Sequence, residues 1–138
     1  MTFSPPAGAG AAETHPLVLI VDDSKKNLKL ARDILRRAGL RTIEASRGAE
    51  AIAVARDRIP DVILLDLQLP DLGGTRVARA LAAEPQTASI PVVAWTARSI
   101  EADADWLIGA GVAGFIAKPL PVHEFPALVR SYCVRAGG

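Results

Sequence analysis

Short runs of apolar residues alternate along the chain with stretches in which apolar residues recur at helical spacing. The runs predict strands and the periodic stretches predict helices. Five strand–helix units in succession predict an α/β fold with a parallel sheet, right-handed crossovers and helices on both faces. The predicted strands are 17–21, 40–44, 61–65, 90–95 and 113–117, and the predicted helices are 24–37, 48–58, 75–83, 100–110 and 121–134.

Capping residues and proline refine the helix boundaries. Ser24 is a suitable N-cap for the first helix, and Gly39 is a typical residue at a helix end. Pro126 is tolerated only in a first turn, so the last helix should begin near His123. The residues of that last segment expected to face the core are Val122, Phe125, Leu128, Val129 and Tyr132.

The length of 138 residues fits a single domain. Residues 1–16 are rich in Pro, Gly and Ala and lack the features of a secretory signal, so we predict a flexible N-terminal tail. The domain is expected over 17–134, with a short C-terminal tail at 135–138.

Composition excludes several functional classes. The net charge is +1 with acidic and basic residues interspersed, which argues against binding to DNA or to a membrane surface. A single cysteine, Cys133, excludes an internal disulfide and favours a reducing, cytoplasmic location. His15 and His123 are too far apart in sequence to indicate a zinc site.

Polar residues follow four of the predicted strands directly. Asp22 and Asp23 follow the first strand, Asp66 follows the third, Thr96 ends the fourth and Lys118 follows the fifth. Because the carboxyl ends of parallel strands share one edge of the sheet, these side chains should converge there.

Three carboxylates close together repel one another, and a divalent cation removes that conflict. All-oxygen ligands indicate a hard ion, Mg²⁺ or Mn²⁺. Lys118 and Thr96 could then contact a transferring phosphoryl group, and a carboxylate can be its acceptor. We predict Asp66 as that nucleophile, because it follows the most continuously apolar strand, which should be central.

The chain resembles the receiver domains of bacterial two-component response regulators in four segments: "LIVDDSKKN", "VILLDLQLPDLGG", "IPVVAWTA" and "GVAGFIAKP". The resemblance covers residues 17–134 and is strongest to receivers of the single-domain type and those of hybrid kinases. It implies a flavodoxin-like fold with strand order 2-1-3-4-5. It also implies that Asp66 takes a phosphoryl group from a histidine kinase or a histidine phosphotransfer protein.

The resemblance also assigns roles to individual residues. Asp23, Asp66 and the backbone carbonyl of Gln68 would bind Mg²⁺, with Asp22 acting mainly through water. Lys118 would bridge to the phosphoryl oxygens. The remaining implied roles are switching by Thr96 and Phe115, tuning of the phosphate lifetime by Gln68 and Arg98, and a cis peptide bond before Pro119.

The sequence departs from the family pattern at two points. Gly73 stands where an aspartate usually caps the next helix, so we expect Asp71 to serve as the cap. The aromatic switch position holds Phe115 rather than the commoner tyrosine, which removes a hydroxyl. We expect the signal to leave through a protein contact or by onward transfer of the phosphoryl group. Trp106, at helical spacing on the side away from Ile100, is a candidate residue of the face that makes such a contact.

Two other functions remain open at this point. The first is a hydrolase or phosphatase with an aspartyl-phosphate intermediate, which usually needs an acid two residues after the nucleophile, where Gln68 stands. The second is a binding module that acts without phosphorylation. The intact set of Asp22, Asp23, Asp66, Thr96 and Lys118 argues against that second alternative.

Overall fold

The computed structural model describes residues 15–69, 71, 73–96, 111–118 and 122–137, with residues 96 and 134–137 described by their backbone alone. The predicted helix 100–110 lies outside these residues. The described elements are β1 (Leu17–Val21), α1 (Lys25–Arg37), β2 (Arg41–Ala45), α2 (Gly48–Arg58), β3 (Val62–Leu65), α3 (Gly74–Ala83), β4 (Val92–Thr96), β5 (Gly114–Ala117) and α4 (Phe125–Gly137).

The five strands form one parallel sheet in the order β2-β1-β3-β4-β5. This confirms the flavodoxin-like order that the resemblance implied. β3 is the central strand: Val62 is paired with Val18 of β1, and Ile63 with Val92 of β4. The interpretation of the strand before Asp66 as central is therefore confirmed.

Alternation of side chains along the strands produces two separate cores, one on each face of the sheet. Leu19, Ile63 and Ala94 pack against α2 and α3, whereas Ile20, Leu64 and Trp95 pack against α1 and α4. Because both faces of the central strands are covered, β1 and β3 consist entirely of buried residues.

The ends of α1 follow the sequence prediction. The Oγ of Ser24 accepts a hydrogen bond from the backbone N–H of Asn27 at 3.3 Å, which caps the helix. At the other end, the N–H of Gly39 donates to the carbonyl of Arg36 and the N–H of Leu40 to that of Leu35. These bonds close the last turn and lead the chain directly into β2.

Four of the five strands have bounds that differ from prediction by one or two residues; among them, β5 begins at Gly114 rather than at residue 113. β4 begins at Val92 rather than at residue 90, because Pro91 has no N–H to donate, although its carbonyl accepts from Ile63. β3 begins at Val62, because the Asp61 carboxylate accepts the N–H of Leu17 at 2.7 Å and so ends the regular ladder. β2 is displaced by one residue, to Arg41–Ala45.

The prediction for the last helix was partly wrong. α4 begins at Phe125, and residues 122–124 form a turn, so Pro126 lies in the first helical turn as expected. Phe125 and Val129 are buried, but Val122 and Leu128 are 49% and 38% exposed and do not face the core. Val122 lies before the start of the helix, and Leu128 lies on its exposed side.

Asp71 caps a different helix from the one predicted. Its two carboxylate oxygens accept the N–H groups of Gly48 and Ala49, at 2.8 Å and 3.0 Å, in the first turn of α2. The N-cap position of α3 is Gly73, which has no side chain with which to cap. The contact joins segments 22 or more residues apart in sequence, which no local capping rule could predict.

Candidate functional site

Four of the five polar residues predicted to converge meet at one edge of the sheet, and the fifth is Thr96, whose side chain is not described. Asp22 and Asp23 follow β1, Asp66 follows the adjacent β3, and Lys118 follows β5. The N–H of Asp66 donates to the carbonyl of Val21 at 3.0 Å, which holds the two strand ends side by side.

The three aspartates form a candidate cation site. One carboxylate oxygen from each of Asp22, Asp23 and Asp66 lies within 4.8 Å of the others. Asp22 and Asp66 are buried, while Asp23 is exposed. A set of carboxylate oxygens without sulfur or imidazole fits Mg²⁺ or Mn²⁺, and one open side leaves room for further oxygen ligands.

Asp22 is held in place on several sides. Its Oδ1 accepts the N–H of Ser24 at 2.9 Å, and its Oδ2 accepts the side-chain amide of Asn27 at 3.1 Å. Lys118 donates to the same Oδ2 at 2.7 Å. Asn27 was not predicted as a site residue; its place in the first turn of α1, just after the two aspartates, was the available signal.

Lys118 points into the site rather than toward solvent. Its Nζ lies 2.7 Å from Asp22 Oδ2 and 3.5 Å from Asp66 Oδ2, and its side chain is 16% exposed. The ammonium also lies over the indole ring of Trp95, 4.7 Å from the ring centroid. Trp95 is a second residue at this site that the sequence interpretation missed.

The carboxylate of Asp66 has a different environment for each oxygen. Oδ1 accepts the N–H of Gln68 at 3.0 Å, while Oδ2 faces Lys118. Burial raises the pKa of Asp66, and the charge of Asp22 adds to that effect; the Gln68 amide and Lys118 oppose it. Without a cation, the carboxyl of Asp66 is therefore harder to ionise than a free aspartate.

The segment after Asp66 packs closely on the start of α3. The N–H of Gly74 donates to the carbonyl of Leu67 at 3.1 Å. A Cβ at Gly74 would lie 2.6 Å from Leu67 Cα and 2.8 Å from the carbonyl oxygen of Asp66. Only glycine fits here, so Gly74 supports the backbone that carries Asp66.

The predicted switch residues lie near the site to different degrees. The backbone of Thr96 pairs with Ala117, next to Lys118, while its side chain is not described. Phe115 is partly buried and packs against the core under α2 and α3. Three predicted residues lie outside the described part of the chain: Arg98, Trp106 and Pro119.

Cys133 lies on α4, buried in the other core. Burial raises the pKa of its thiol to about 11, so the thiol stays protonated at neutral pH. This environment suits a packing role. No helix within the described residues is long and apolar enough to cross a membrane.

A sequence profile described as the response regulator receiver domain matches residues 18–130. The chain belongs to this family. It is 37% identical over 115 residues to the polar-differentiation response regulator DivK of Brucella anthropi, an alignment that covers 83% of this chain and 94% of that protein. DivK of Brucella ovis matches to the same extent.

Solved structures of receivers share the fold. The chemotaxis response regulator CheY4 of Vibrio cholerae superposes with a TM-score of 0.80 at 27% identity, over 86% of this chain and 99% of that one. The receiver domain of the sensor histidine kinase PA1611 of Pseudomonas aeruginosa, solved with a magnesium ion coordinated in its active-site cleft, gives 0.79 at 27% identity, over 87% and 98%. The chain is therefore a receiver of two-component signalling.

Proposed function

We propose that Asp66 takes a phosphoryl group from a phosphohistidine of a histidine kinase or a histidine phosphotransfer protein, in a Mg²⁺-dependent reaction. The observation that carries this proposal is the convergence of Asp22, Asp23, Asp66 and Lys118, with three carboxylate oxygens within 4.8 Å and the ammonium at 2.7 Å and 3.5 Å from two of them. The phosphorylated state then switches a protein-binding face.

The residues present fit a magnesium ion. Asp23, Asp66 and the backbone carbonyl of Gln68 would hold it directly, and Asp22 through water. Exposed Asp23 lies on the open side of the site, whereas Asp22 is already bound by Ser24, Asn27 and Lys118. When bound, the ion neutralises charge on the phosphoryl oxygens.

The geometry supports Oδ2 of Asp66 as the attacking oxygen, because Oδ1 is engaged by the Gln68 amide. Oδ2 forms the new bond to phosphorus while the phosphorus–nitrogen bond of the donor breaks, and its electron pair returns to the imidazole nitrogen. Lys118, 3.5 Å from Oδ2, is near enough to receive the phosphoryl oxygens by a small movement away from Asp22. Loss of the phosphate to water returns the resting carboxylate, and both reactions are catalysed by the receiver itself.

The switch follows from the added charge. A phosphoryl group brings close to two negative charges, which would attract the Thr96 hydroxyl and open space for Phe115. Phe115 lies on β5, directly opposite Ala94 of β4, and packs in the core under α2 and α3, so its movement would alter β4 and β5 on that face of the sheet. Trp106 is the candidate contact on the protein-binding face, and Arg98 with Gln68 would set the phosphate lifetime.

A cavity of about 540 Å³ beside α1 is a candidate contact for the phosphoryl donor. Its charged lining residues are Lys25, Lys29, Arg32, Glu44 and Glu50, and Lys25 lies two residues from Asp23. We propose that the histidine-bearing helix of the donor lies against this side of α1. The cytoplasmic location inferred from the cysteine content stays a prediction.

Acetyl phosphate provides a direct test, since it supplies a phosphoryl group without a partner protein. Intact-mass measurement of the full chain with acetyl phosphate and Mg²⁺ should show the addition of one phosphoryl group. Asp66→Asn should abolish the addition, and so should chelation of the metal. Asp57→Asn, on the exposed face of α2, is the matched control and should be modified as wild type.

Three outcomes would contradict the proposal. Modification that survives in Asp66→Asn would place the acceptor elsewhere. Continuous release of inorganic phosphate far faster than the modified protein accumulates would instead favour the hydrolase alternative. Absence of any modification, with a partner bound equally with and without beryllofluoride, would favour a module that acts without phosphorylation.

A further inference from the structure

Among the described residues, three groups lie close to the ammonium of Lys118, and two of them are acids. Asp22 and Asp66 lie at 2.7 Å and 3.5 Å, and the indole of Trp95 lies with its ring centroid at 4.7 Å. An ammonium at this distance from a tryptophan face is attracted by the ring quadrupole, and indole is the strongest of the aromatic partners.

Trp95 is fixed more firmly than a surface aromatic would be. It lies on β4, is 1% exposed and packs on Phe125, the first residue of α4, with ring centroids 6.2 Å apart and a tilt of 34°. A cation over a ring that cannot turn away from it has one preferred position. The strand and α4 together thus define where the ammonium lies.

The N–H of the Trp95 indole makes no hydrogen bond within the described part of the chain that would explain a tryptophan at this position. Among the described residues, no acceptor lies within hydrogen-bond reach of Trp95 Nε1, although the atom is buried. Burying a donor without a partner costs free energy that a phenyl or isobutyl side chain of this core would not incur. The property of indole that the site uses is therefore its face.

We propose that Trp95 is a positioning residue for phosphoryl transfer: its indole face holds the Lys118 ammonium between Asp22 and Asp66, ready for the phosphoryl oxygens. Lys118 contacts the incoming group, and Trp95 acts only through Lys118. This inference rests on the proposed function. It predicts that Trp95 affects recognition of a phosphoryl group without affecting recognition of the metal.

The test uses the full chain in a Trp106→Phe background, so that Trp95 is the single indole, and beryllofluoride with Mg²⁺ as the phosphoryl mimic. Trp95→Leu should weaken beryllofluoride binding by roughly 5- to 10-fold. The affinity for Mg²⁺ alone should stay within about twofold. Trp95→Phe retains an aromatic face and should recover part of the loss. Should Trp95→Leu fail to fold, Trp95→Phe is compared with the Trp106→Phe parent, and we expect a smaller loss of beryllofluoride affinity.

A double-mutant cycle separates positioning from packing. In a Lys118→Met background, Trp95→Leu should no longer change beryllofluoride affinity. Emission of the single indole gives a second readout, independent of phosphoryl chemistry: Lys118→Met should change its intensity, because the ammonium over the ring is removed.

The opposite results are equally clear. Unchanged beryllofluoride affinity in Trp95→Leu, a parallel loss of Mg²⁺ affinity, or an effect that persists without Lys118 would each overturn this inference alone. Indole emission indifferent to Lys118→Met would do the same. Failure of the parent protein to bind beryllofluoride would instead remove the proposed function, and this inference with it.

Discussion

The Nζ of Lys118 lies 2.7 Å from Oδ2 of Asp22, although the two residues are 96 positions apart in the chain. The contact joins the end of β5 to the end of β1, across β3 and β4. Lys118 also lies within 4 Å of a second carboxylate of the candidate cation site, that of Asp66, at 3.5 Å. It therefore balances part of the charge of these two carboxylates whenever no metal is bound.

Removing Lys118 should destabilise the metal-free protein. Asp22 is buried, and a buried carboxylate left without its cation is costly, so we expect Lys118→Ala to lower the free energy of unfolding by roughly 3 kcal/mol. Mg²⁺ should restore part of that loss. Urea denaturation with EDTA and then with Mg²⁺ measures both effects.

Lys29→Ala is the matched control. Lys29 makes an equally short ion pair, 2.7 Å from Asp33, but at an exposed i, i+4 position on α1. Such an exposed pair is screened by solvent, so its loss should change the free energy of unfolding very little. Equal losses in the two variants would mean that Asp22 does not depend on Lys118.

The position of the site was predictable because it follows from topology. Parallel strands end at one edge, so residues directly after β1, β3 and β5 must meet, and this brought together Asp22, Asp66 and Lys118 without any knowledge of side chains. The same reasoning identified β3 as central from its uninterrupted apolar run.

Contacts that depend on rotation and register were not predictable. Asn27 reaches Asp22 only because α1 is turned to present that side of its first turn. Trp95 lies under Lys118 because the β4–β5 register aligns Thr96 with Ala117. Asp71 reaches α2 from a distant loop. The periodicity of the sequence does not specify any of these three contacts.

Asp66→Asn should stabilise the metal-free protein at neutral pH. Burial raises the pKa of Asp66, so as the pH rises above the ordinary value of 3.8 the unfolded chain loses this proton before the folded protein does. The stability that protonated Asp66 contributes in acid is thus lost as the pH rises through the pKa of Asp66 in the folded protein. Asparagine removes that loss, so we expect a higher Tm than that of wild type at pH 7 and a difference that shrinks in acid.

Magnesium should reverse the order of stability, so that wild type becomes more stable than Asp66→Asn. Binding only to the folded protein contributes about 2.7 kcal/mol when the ion is at about one hundred times its Kd. Wild type should gain this stability and Asp66→Asn should gain less, because one ligand is lost. Thermal scans with EDTA or Mg²⁺ provide the comparison; an unchanged order of the two proteins would exclude Asp66 as a ligand.

Gly74→Ala should be strongly destabilising, whereas Gly73→Ala should be nearly neutral. A Cβ at Gly74 would meet Leu67 Cα at 2.6 Å and the Asp66 carbonyl at 2.8 Å, while a Cβ at Gly73 meets nothing within 4 Å. Relieving the clash must move the segment that carries Asp66, so we expect a loss of about 2 kcal/mol. The acetyl phosphate reaction should slow in Gly74→Ala alone. Similar behaviour of the two variants would argue that this segment adapts freely.

Ile59, at the end of α2, has φ of 43° and ψ of 67°, although a β-branched residue disfavours this left-handed region. It also precedes Pro60, which restricts its backbone further. Glycine avoids the Cβ conflict, so Ile59→Gly should be more stable than Ile59→Ala by about 1 kcal/mol. At exposed Ala53, within α2, the preference should invert, with Ala53→Gly costing about 0.5–1 kcal/mol. Chemical denaturation of the three variants and wild type measures whether glycine or alanine gives the higher free energy of unfolding at each position. A lower value for glycine than for alanine at both positions would mean that Ile59 is not strained.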